Sequence, residues 1–333
     1  MTVQQAAGRI GEAPAGSIGT VVRDVVPVAD GVVAIELVPD GGGPLPAWEP
    51  GAHIDLLLGP DLVRQYSLCG DPDDPRSWWI AVLLRPDGGG GSRRVHALRP
   101  GDRVPVRGPR NAFRLHPAPH YVFVAGGIGI TPIRPMVAAA VRAGAGWTLH
   151  YGGRSRTTMA FAGELARYGA QVRLHPEDEH GPLDPDAVVA GAPPGALVYC
   201  CGPAGLIDAM TATTAGTAGT AGTTAGTLHV ERFTAAPAAD PAADAAFDVE
   251  CRASGITVRV PPGVSVLDAL EEAGGVIVNS SCRDGVCGTC ETGVLAGDPD
   301  HRDTVLDDAE RAAGEVMMVC VSRSIGPRLV LDI

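Results

Sequence analysis

Lysine is absent from the 333-residue chain, so arginine supplies all 26 of its basic side chains. Together with the heavy use of alanine, glycine and proline, this indicates a coding bias, and we attach no function to it. The paired motifs C-x-H and C-x2-H are also absent, which excludes a Rieske centre. The nine histidines are dispersed along the chain, so no iron site of the two-histidine, one-carboxylate type is expected either.

Targeting signals are equally scarce. The N-terminus lacks a basic region followed by an apolar core, so we expect no signal peptide. The uncharged stretch Ala187–Ile207 has the length of a bilayer span, but three prolines and four glycines interrupt it, as is typical of a strand with flanking loops. The eight cysteines do not form a disulfide framework and fit a reducing compartment. We therefore expect a soluble, cytoplasmic protein.

Negative charge is concentrated toward the C-terminus. From residue 237 onward the chain has 17 acidic residues against 7 arginines, a balance of −10, whereas the first 236 residues have 21 against 19, a balance of −2. An acidic surface of this kind repels nucleic acid and steers toward a basic patch on a protein partner. The alternative is that the charge serves solubility alone.

Four cysteines near the C-terminus form the most informative motif. Cys282, Cys287 and Cys290 follow the pattern C-x4-C-x2-C, and Cys320 stands 30 residues further on. This is the ligand spacing of a plant-type 2Fe–2S cluster. Gly285 and Gly288 suit a loop that wraps closely around such a cluster. The alternative is a structural zinc site, although zinc sites usually present two C-x2-C-like pairs and this chain has one.

The chain before these cysteines changes character twice. Short β-rich runs separated by turns extend to about residue 116 and predict an antiparallel barrel or sandwich. From residue 120, strands alternate with helices, such as the buried strand Tyr121–Ala125 and the helix Ile133–Ala143, which indicates a parallel α/β sheet. The Thr/Ala/Gly repeat 211–227 cannot bury a core and is expected to be a flexible surface insertion. The predicted domains are therefore 15–116, 117–233 and 247–333, with a linker at 234–246.

Two segments of the first domain suggest a flavin site. Arg64, Tyr66 and Ser67 form an R-x-Y-S motif at the end of a strand and offer a cation, a flat ring and a hydrogen-bond donor. The glycine run 88–91 leads through Ser92, the expected N-cap, into a helix over Val95–Leu98, which makes an anion site of backbone N–H groups. Each segment has an ordinary alternative, a plain strand for the first and a hairpin tip for the second.

Three segments of the α/β domain suggest a nicotinamide nucleotide site. Gly127, Gly129 and Thr131 lie in the turn G-G-I-G-I-T-P after a buried strand, where a pyrophosphate can approach the backbone. Pro132 stands where the dinucleotide fingerprint has its third glycine, which distinguishes the turn from that of the usual Rossmann dehydrogenases. Cys201 and Gly202 end a later strand in C-C-G-P, and for Cys200 a buried structural role is preferred. Plain turns are the alternative.

A further pair of residues bears on the choice of nucleotide. Arg154 and Ser155 follow the second strand of the α/β domain, where an adenosine ribose would lie, and Arg156 comes next. Two arginines and a serine are suited to a 2′-phosphate.

The order of these motifs resembles that of the phthalate dioxygenase reductase family, the FMN-containing branch of the ferredoxin–NADP reductase superfamily. The resemblance covers about residues 15–333. It implies a multidomain α+β protein with an antiparallel flavin-binding β-barrel, a parallel α/β nicotinamide-binding domain and a C-terminal β-grasp ferredoxin domain. It also implies that Arg64, Tyr66, Ser67, Gly91 and Ser92 hold FMN, that Cys201 lies by the nicotinamide, and that Phe233 lies near the flavin.

The resemblance predicts an electron-transfer reductase that passes electrons from NAD(P)H through FMN and a 2Fe–2S cluster to a partner oxygenase. A flavin suits this role because it accepts hydride and releases single electrons. A Rieske-type dioxygenase or demethylase is the preferred partner, and it would dock transiently on the acidic ferredoxin domain. The alternatives are a haem-thiolate monooxygenase as partner, a stand-alone diaphorase or flavin reductase, and an interaction module without activity. NADH is preferred to NADPH by the habit of the family.

Overall fold

A computed structural model of the chain describes residues 16–59, 62–86, 89–217, 225–234, 244–306 and 308–333. The chain divides into two compact units, Met1–Val230 and Glu231–Ile333. Among the described residues, no helix has both the length and the apolar character needed to cross a membrane.

The elements of the first unit alternate as the sequence predicts, first short strands and then strands with helices between them. Its strands are β1 (Ile18–Ala29), β2 (Val32–Pro39), β3 (His53–Gly59), β4 (Leu62–Ser67), β5 (Trp78–Leu83), β6 (Arg103–Arg110), β7 (His120–Gly126), β8 (Gly146–Gly153), β9 (Val172–Pro176), β10 (Ala196–Cys201) and β11 (Ala225–Glu231), the last of which ends at the boundary. Its helices are α1 (Gly91–His96), α2 (Ile130–Arg142), α3 (Ala162–Leu165), α4 (Glu177–His180), α5 (Pro185–Ala190) and α6 (Ala204–Thr217).

The first six strands form an antiparallel sheet in the order β4-β3-β6-β1-β2-β5. Just beyond β4 the two edges of this sheet meet, because Leu68 bridges Ile80 on β5 and the N–H of Cys69 donates to the carbonyl oxygen of Trp79 at 2.8 Å. This contact closes the sheet into the predicted barrel. Alternating apolar residues such as Ile35 and Leu56 fill its interior and are fully buried.

The remaining strands form a second sheet in the order β11-β10-β7-β8-β9. Strands β10, β7, β8 and β9 run parallel, which confirms the α/β pattern predicted from residue 120 onward. The carboxyl ends of β7 and β10 are adjacent, because Ala125 pairs with Cys201. Ligands of open parallel sheets bind at this edge.

The barrel and the parallel sheet share one hydrophobic core. Val32, Ala34 and Ala81 of the barrel belong to the same buried cluster as Phe123 of β7 and Ile133 of α2. Buried apolar surface that is common to both sheets fixes their relative position far more firmly than a flexible linker would. The two sheets therefore fold as one compact unit.

Helix α2 begins three residues before the predicted start, at Ile130. The segment between Ile130 and Ile133 contains Pro132, which is tolerated there because the first turn of a helix has no intrahelical partner for its N–H groups. Helical pattern alone placed the start after the proline, since the residues before it resemble a turn.

The repeat 211–227 is not a flexible insertion throughout, and that expectation was wrong for its first part. Helix α6 continues to Thr217 and β11 begins at Ala225, while residues 218–224 lie outside the described part of the chain. The hydroxyl groups of the threonines donate to carbonyl oxygens four residues earlier, from Thr211 to Ile207 at 2.8 Å and from Thr214 to Met210, so they find their partners within the helix. Alanine, which supplies five of the 17 residues of the repeat, is the strongest helix former.

The elements of the second unit are β12 (Phe247–Cys251), β13 (Ile256–Val260), α7 (Val266–Ala273), β14 (Glu291–Ala296), β15 (Pro299–Asp300), α8 (Asp308–Ala313), β16 (Val316–Met318), β17 (Arg323–Ser324) and β18 (Arg328–Leu331). Five of the strands form a sheet in the order β13-β12-β18-β14-β16, in which only β12 and β18 are parallel among the described pairs. Helix α7 contributes Val266, Leu267 and Leu270 to the core of the unit, and Ser265 caps it by accepting from the N–H of Asp268 at 3.0 Å.

The predicted linker 234–246 falls mostly on residues 235–243, which lie outside the described part. Its end belongs to the second unit, because the Asp244 carboxylate accepts from Arg302 at 2.7 Å and lies 3.2 Å from Arg323. These two arginines hold the pKa of Asp244 below its usual value, the hydrogen bond from Arg302 being the larger cause. The other predicted domain boundaries stay predictions.

The shared core generates a prediction about stability. We expect Ile133→Ala to lower the free energy of unfolding of the first unit by about 2–5 kcal/mol, because a fully buried side chain leaves a cavity. Val141→Ala, on the same helix and 43% exposed, is the matched control and should change it by less than about 0.5 kcal/mol. All four tryptophans lie in the first unit, so denaturation followed by tryptophan fluorescence measures this unit. Equal effects of the two substitutions would contradict the shared core.

Candidate functional site

The R-x-Y-S motif lies in the last four residues of β4. Arg64 pairs with Leu56 and Tyr66 with Ile54 on β3, so the two side chains follow the alternation of one strand and share a face. Ser67 is buried, whereas Arg64 and Tyr66 are half-buried. Burial raises the pKa of Tyr66 to about 12, and the charge of Arg64 opposes this only in part. The Tyr66 hydroxyl therefore keeps its proton at physiological pH and remains a hydrogen-bond donor.

Arg64 and the glycine run form one site. The Arg64 guanidinium donates to the carbonyl oxygens of Val63 at 2.7 Å and Gly89 at 3.1 Å. A Cβ added at Gly91 would overlap the Arg64 side chain, and one added at Gly89 would lie 2.6 Å from Arg64 Nη2. Gly91 thus lets the stem of the arginine lie against the turn, whereas a Cβ at Gly89 would displace only the end of the guanidinium. Gly88 lies outside the described residues.

The expected helix after this turn is displaced, and Ser92 is not its N-cap. Helix α1 begins at Gly91, and its N-cap is Gly90 with a φ of 83°, a left-handed conformation that favours glycine. The Ser92 hydroxyl instead accepts from the N–H of Arg85 at 3.0 Å and lies 3.3 Å from the carbonyl oxygen of the same residue. It ties the turn to the end of β5.

The turn after β7 brings together the residues predicted to bind a nucleotide. Gly127 has a φ of 53°, and no atom lies within 4 Å of where its Cβ would be, so its open side can admit a ligand. Gly129 has a different role, since a Cβ there would overlap the carbonyl group of Cys201. The hydroxyl of the buried Thr131 donates to the carbonyl oxygen of Ile128 at 3.0 Å. Gly129 and Thr131 therefore shape the turn through contacts within the protein.

Cys201 and Gly202 meet this turn directly. Cys201 is fully buried at the end of β10, and a Cβ on Gly202 would lie 3.0 Å from the Cα of Gly126. The two glycine turns are thus in backbone contact at the carboxyl edge of the sheet. Such an edge, with helix α2 beginning at the turn, suits the pyrophosphate and nicotinamide of a dinucleotide.

The three residues predicted near the adenosine differ in the contacts that they make within the protein. Arg156 makes a two-pronged ion pair with Glu179, with N···O distances of 2.7 and 2.9 Å. Ser155 caps a short turn through Thr158. Arg154 is exposed, and among the described residues no acidic group lies within 4 Å of its guanidinium. Glu179 would therefore compete with a 2′-phosphate for Arg156, whereas Arg154 is available to a bound nucleotide.

The four predicted cluster ligands converge in the second unit. The Cys282 thiol lies close enough to those of Cys287 and Cys320 to shift their ionisation, and the thiols of Cys290 and Cys320 affect each other in the same way. The contact with Cys287 is the largest cause that lowers the pKa of Cys282, and the same contact raises the pKa of Cys287. A chain of four facing thiols, one of them readily ionised, fits a metal centre. Three of the four are buried, and Cys282 is the most exposed.

The spacing of these cysteines fits a 2Fe–2S cluster better than zinc. Zinc sites usually present two C-x2-C-like pairs, whereas this chain has one, Cys287 and Cys290. In a 2Fe–2S cluster each iron takes two of the four cysteines.

The loop that carries the ligands is shaped by its backbone. Gly285 and Gly288 have φ values of 68° and 71°, as the prediction of a tightly wrapped loop requires. The N–H of Asp284 donates to the sulfur of Cys282 at 3.4 Å. A Cβ on Gly285 would come within 3.1 Å of the Cα of Asp303, so the loop also packs closely against the chain that follows.

Sequence reasoning missed Arg283, which anchors this loop. It has a φ of 58°, rare for a residue other than glycine, and its guanidinium binds Asp268 at 2.8 Å and Glu271, both on α7. The signal was present as one basic residue inside the cysteine loop and two acidic residues three apart on the preceding helix. Phe233, predicted to lie near a flavin, follows β11 and is 41% exposed, and its role stays a prediction.

Comparison with known proteins bears on the family to which the chain belongs. Residues 249–324 match the family described as a 2Fe-2S iron-sulfur cluster binding domain. The chain is 46% identical over 308 residues to the phenoxybenzoate dioxygenase subunit beta of Ectopseudomonas oleovorans, which covers 92% of this chain and 94% of that protein. The structure of phthalate dioxygenase reductase superposes with a TM-score of 0.66 at 34% identity, over 96% of this chain and 98% of the other. The chain belongs to the phthalate dioxygenase reductase family.

A second solved structure shows the same fold within a longer protein. An intact type IV self-sufficient cytochrome P450 monooxygenase superposes with a TM-score of 0.87 at 44% identity, over 95% of this chain and 41% of that chain. The fold of this chain is thus also found as part of a longer protein. Membership confirms the predicted α+β fold class, the oxidoreductase class and the 2Fe–2S cofactor.

The convergence of the thiols generates a prediction for this family member. We expect Cys287→Ser to reduce iron content from about two per chain to near zero while the first unit keeps its NADH-dependent reduction of ferricyanide. The reason is that the thiol belongs to the second unit and the flavin and nucleotide motifs to the first. Iron analysis and the ferricyanide assay measure the two effects.

Cys251→Ala is the matched control, because Cys251 is buried in the core of the same unit on β12 and takes no part in the thiol chain. It should keep its iron. Retention of a full cluster by Cys287→Ser, or loss of iron from both variants, would contradict the assignment of Cys287 as a ligand.

Proposed function

We propose that this protein passes electrons from NAD(P)H through FMN and a 2Fe–2S cluster to a partner oxygenase. The observation that carries the proposal is the convergence of four cysteine thiols in the second unit. The first unit combines the strand of the R-x-Y-S motif with the sheet edge formed by β7 and β10, where a nucleotide can bind. A flavin supplies the conversion that these two sites need, because it accepts an electron pair as hydride and releases electrons singly.

The flavin fits the residues of β4 and the turn before α1. Arg64 uses guanidinium N–H groups on Val63 and Gly89, and its remaining N–H groups, together with the backbone of Gly91 and Ser92, are the proposed phosphate site. Tyr66 offers its ring and a protonated hydroxyl beside it. Ser67 is the proposed donor to the reactive edge of the ring.

The nucleotide fits the edge formed by β7 and β10. Gly127 leaves space for the pyrophosphate, and the first turn of α2 favours its charge. Gly129 and Gly202 keep the two turns in contact, Thr131 holds its own turn through Ile128, and Cys201 is proposed to lie beside the nicotinamide. Arg154 and Ser155 are proposed to face the adenosine ribose. We favour NADH, because Glu179 pairs with Arg156 and would compete with a 2′-phosphate for it.

The cluster fits Cys282, Cys287, Cys290 and Cys320, which we propose as its four ligands. Backbone N–H groups of Asp284 and Val286 also lower the pKa of Cys282, which stabilises the thiolate that a metal requires. Burial of three of the four thiols keeps solvent away from the centre. Cys282, as the most exposed ligand, is the proposed side of exit for electrons.

The partner is proposed to be a Rieske-type dioxygenase or demethylase. The relative from Ectopseudomonas oleovorans is a subunit of a dioxygenase, and the chain itself offers an acidic surface, with a balance of −10 after residue 237, to a basic patch on a partner. A haem-thiolate monooxygenase is the second candidate, because the P450 structure contains a region 44% identical to this chain. We place the reaction in the cytoplasm, where the eight free cysteines stay reduced.

The proposed function is tested by an anaerobic absorption titration of the purified protein with NADH and, separately, with NADPH. We expect flavin bands together with broad cluster absorption, uptake of more than two electrons per chain, and FMN as the flavin released by acid. FAD in place of FMN would move the flavin assignment to a neighbouring family. Failure of both nucleotides to bleach the spectrum would contradict the proposed electron donor, and bleaching by NADPH alone would contradict the choice of NADH.

The phosphate role of Arg64 generates a separate prediction. We expect Arg64→Ala to weaken FMN binding by about tenfold or more, because a charge-assisted contact is worth about 1.5–3 kcal/mol. Arg76→Ala, an exposed arginine of the same barrel that pairs with Asp74, is the control and should bind FMN normally. Fluorescence titration of the flavin-free protein with FMN measures both. Full affinity in Arg64→Ala would contradict its role.

A further inference from the structure

Helix α2 lies between the two halves of the proposed hydride-transfer site. Its first turn follows the nucleotide turn Gly127–Gly129, and one turn further on it carries Arg134. The Arg134 guanidinium donates through Nη1 to the carbonyl oxygen of Cys69. Cys69 comes two residues after Ser67, the last residue of the flavin strand β4. One side chain therefore joins the helix of the nucleotide turn to the main chain of the flavin strand.

Arg134 is held rigidly in this position. Its Nε and Nη2 atoms donate to the two carboxylate oxygens of Glu164, each at 3.0 Å. Its guanidinium carbon lies 4.9 Å from the centroid of the Phe161 ring, a distance at which a cation and an aromatic face attract. The contacts on three sides leave the arginine little freedom. We call Arg134, Glu164, Phe161 and the carbonyl group of Cys69 the Arg134 bridge.

One residue of the Arg134 bridge, Phe161, has an unfavourable backbone conformation. Phe161 has a φ of 60°, a left-handed conformation that is unfavourable for a bulky residue and costs about 1–3 kcal/mol. Such a conformation persists only where the surroundings determine it strongly. Here it precedes α3, which carries Glu164, so one short segment provides both the ring and the carboxylate that hold Arg134.

A second arginine of α2 gives a useful contrast. Arg142 lies 3.5 Å from Asp71 and 3.6 Å from Asp73, and its side chain is 43% exposed. It also links α2 to the loop after β4, but through exposed charges at distances longer than a good hydrogen bond. Exposed pairs of this kind contribute about 0–1 kcal/mol. The side chain of Arg134 is only 25% exposed and contacts the main chain itself.

We propose that Arg134 is a positioning residue for hydride transfer, and this inference rests on the proposed function. In that step NADH transfers one hydride, which is a proton together with two electrons, to the flavin and becomes NAD⁺. Arg134 exchanges no proton in the step. It fixes the end of β4 against α2, and a misplacement of about 1 Å between two reacting groups can lower a rate by about a hundredfold.

The experiment is anaerobic stopped-flow reduction of the flavin in the full-length, FMN-loaded protein over a range of NADH concentrations. We expect Arg134→Leu to lower the limiting rate of reduction at least about tenfold, with the dissociation constant for NADH and the flavin content nearly unchanged. Arg134→Lys, which can reach one partner of the bridge but lacks the planar fork, should recover part of the rate. Arg142→Leu is the control and should reduce its flavin at the normal rate.

A measurement without NADH accompanies the kinetics. Hydrogen–deuterium exchange of residues 68–73 and 130–136 should rise in Arg134→Leu and stay unchanged in Arg142→Leu. If Arg134→Leu does not fold, Arg134→Lys and Glu164→Gln carry the test, and both should show a lowered limiting rate and faster exchange in the same segments.

Three results would overturn the positioning role. They are a normal limiting rate in the folded Arg134 variants, a slower rate that follows only from lost flavin or weaker NADH binding, and an equal loss in Arg142→Leu. Failure of the proposed function looks different, since the unsubstituted protein would then show no reduction of its flavin by NADH at all.

Discussion

The hydrophobic core shared by the barrel and the parallel sheet is the constraint on which the first unit depends. Barrel residues such as Ala34 and Ala81 belong to the same buried cluster as Phe123 and Ile133 of the α/β part. The small barrel residues permit a close approach, and the large ones on the sheet fill the space between. A packed interface of this kind makes the distance between flavin strand and nucleotide edge a property of the fold.

Close backbone contacts determine the local shape of the two binding sites, within the arrangement of the sheets that this core fixes. At the sheet edge, glycines at positions 126, 129 and 202 let two turns touch, and at the barrel edge Gly89 and Gly91 let Arg64 lie on the turn. Each contact replaces a side chain with backbone, so the binding surfaces present N–H groups at fixed positions. The glycines thus serve the packing of the protein as much as they admit ligands.

In the second unit the fold brings four thiols together, three from one loop and one from a distant segment. The parallel pairing of β12 with β18 and the core around Leu270 and Met318 bring the segment of Cys320 next to the loop. Arg283, with its two acidic partners on α7, anchors the other side. Facing thiols perturb one another strongly, and the opposite pKa shifts of Cys282 and Cys287 are the direct result.

The local motifs could be predicted from the sequence. The spacing of cysteines indicates which kind of metal centre they can hold, and glycines indicate where two segments of backbone approach closely. The four cysteines, the R-x-Y-S strand and the turn at Gly127 were all found from residue types at short separations. The helical part of the repeat and the true N-cap of α1 were missed, because residue propensity does not show which backbone group a threonine or serine hydroxyl will contact. Only the tertiary structure decided that Arg64 lies on the glycine turn, that Gly129 packs against Cys201 and that Arg134 reaches Cys69. Those contacts join residues 25 to 72 positions apart, and such pairs are set by packing of the whole core, which no local pattern encodes.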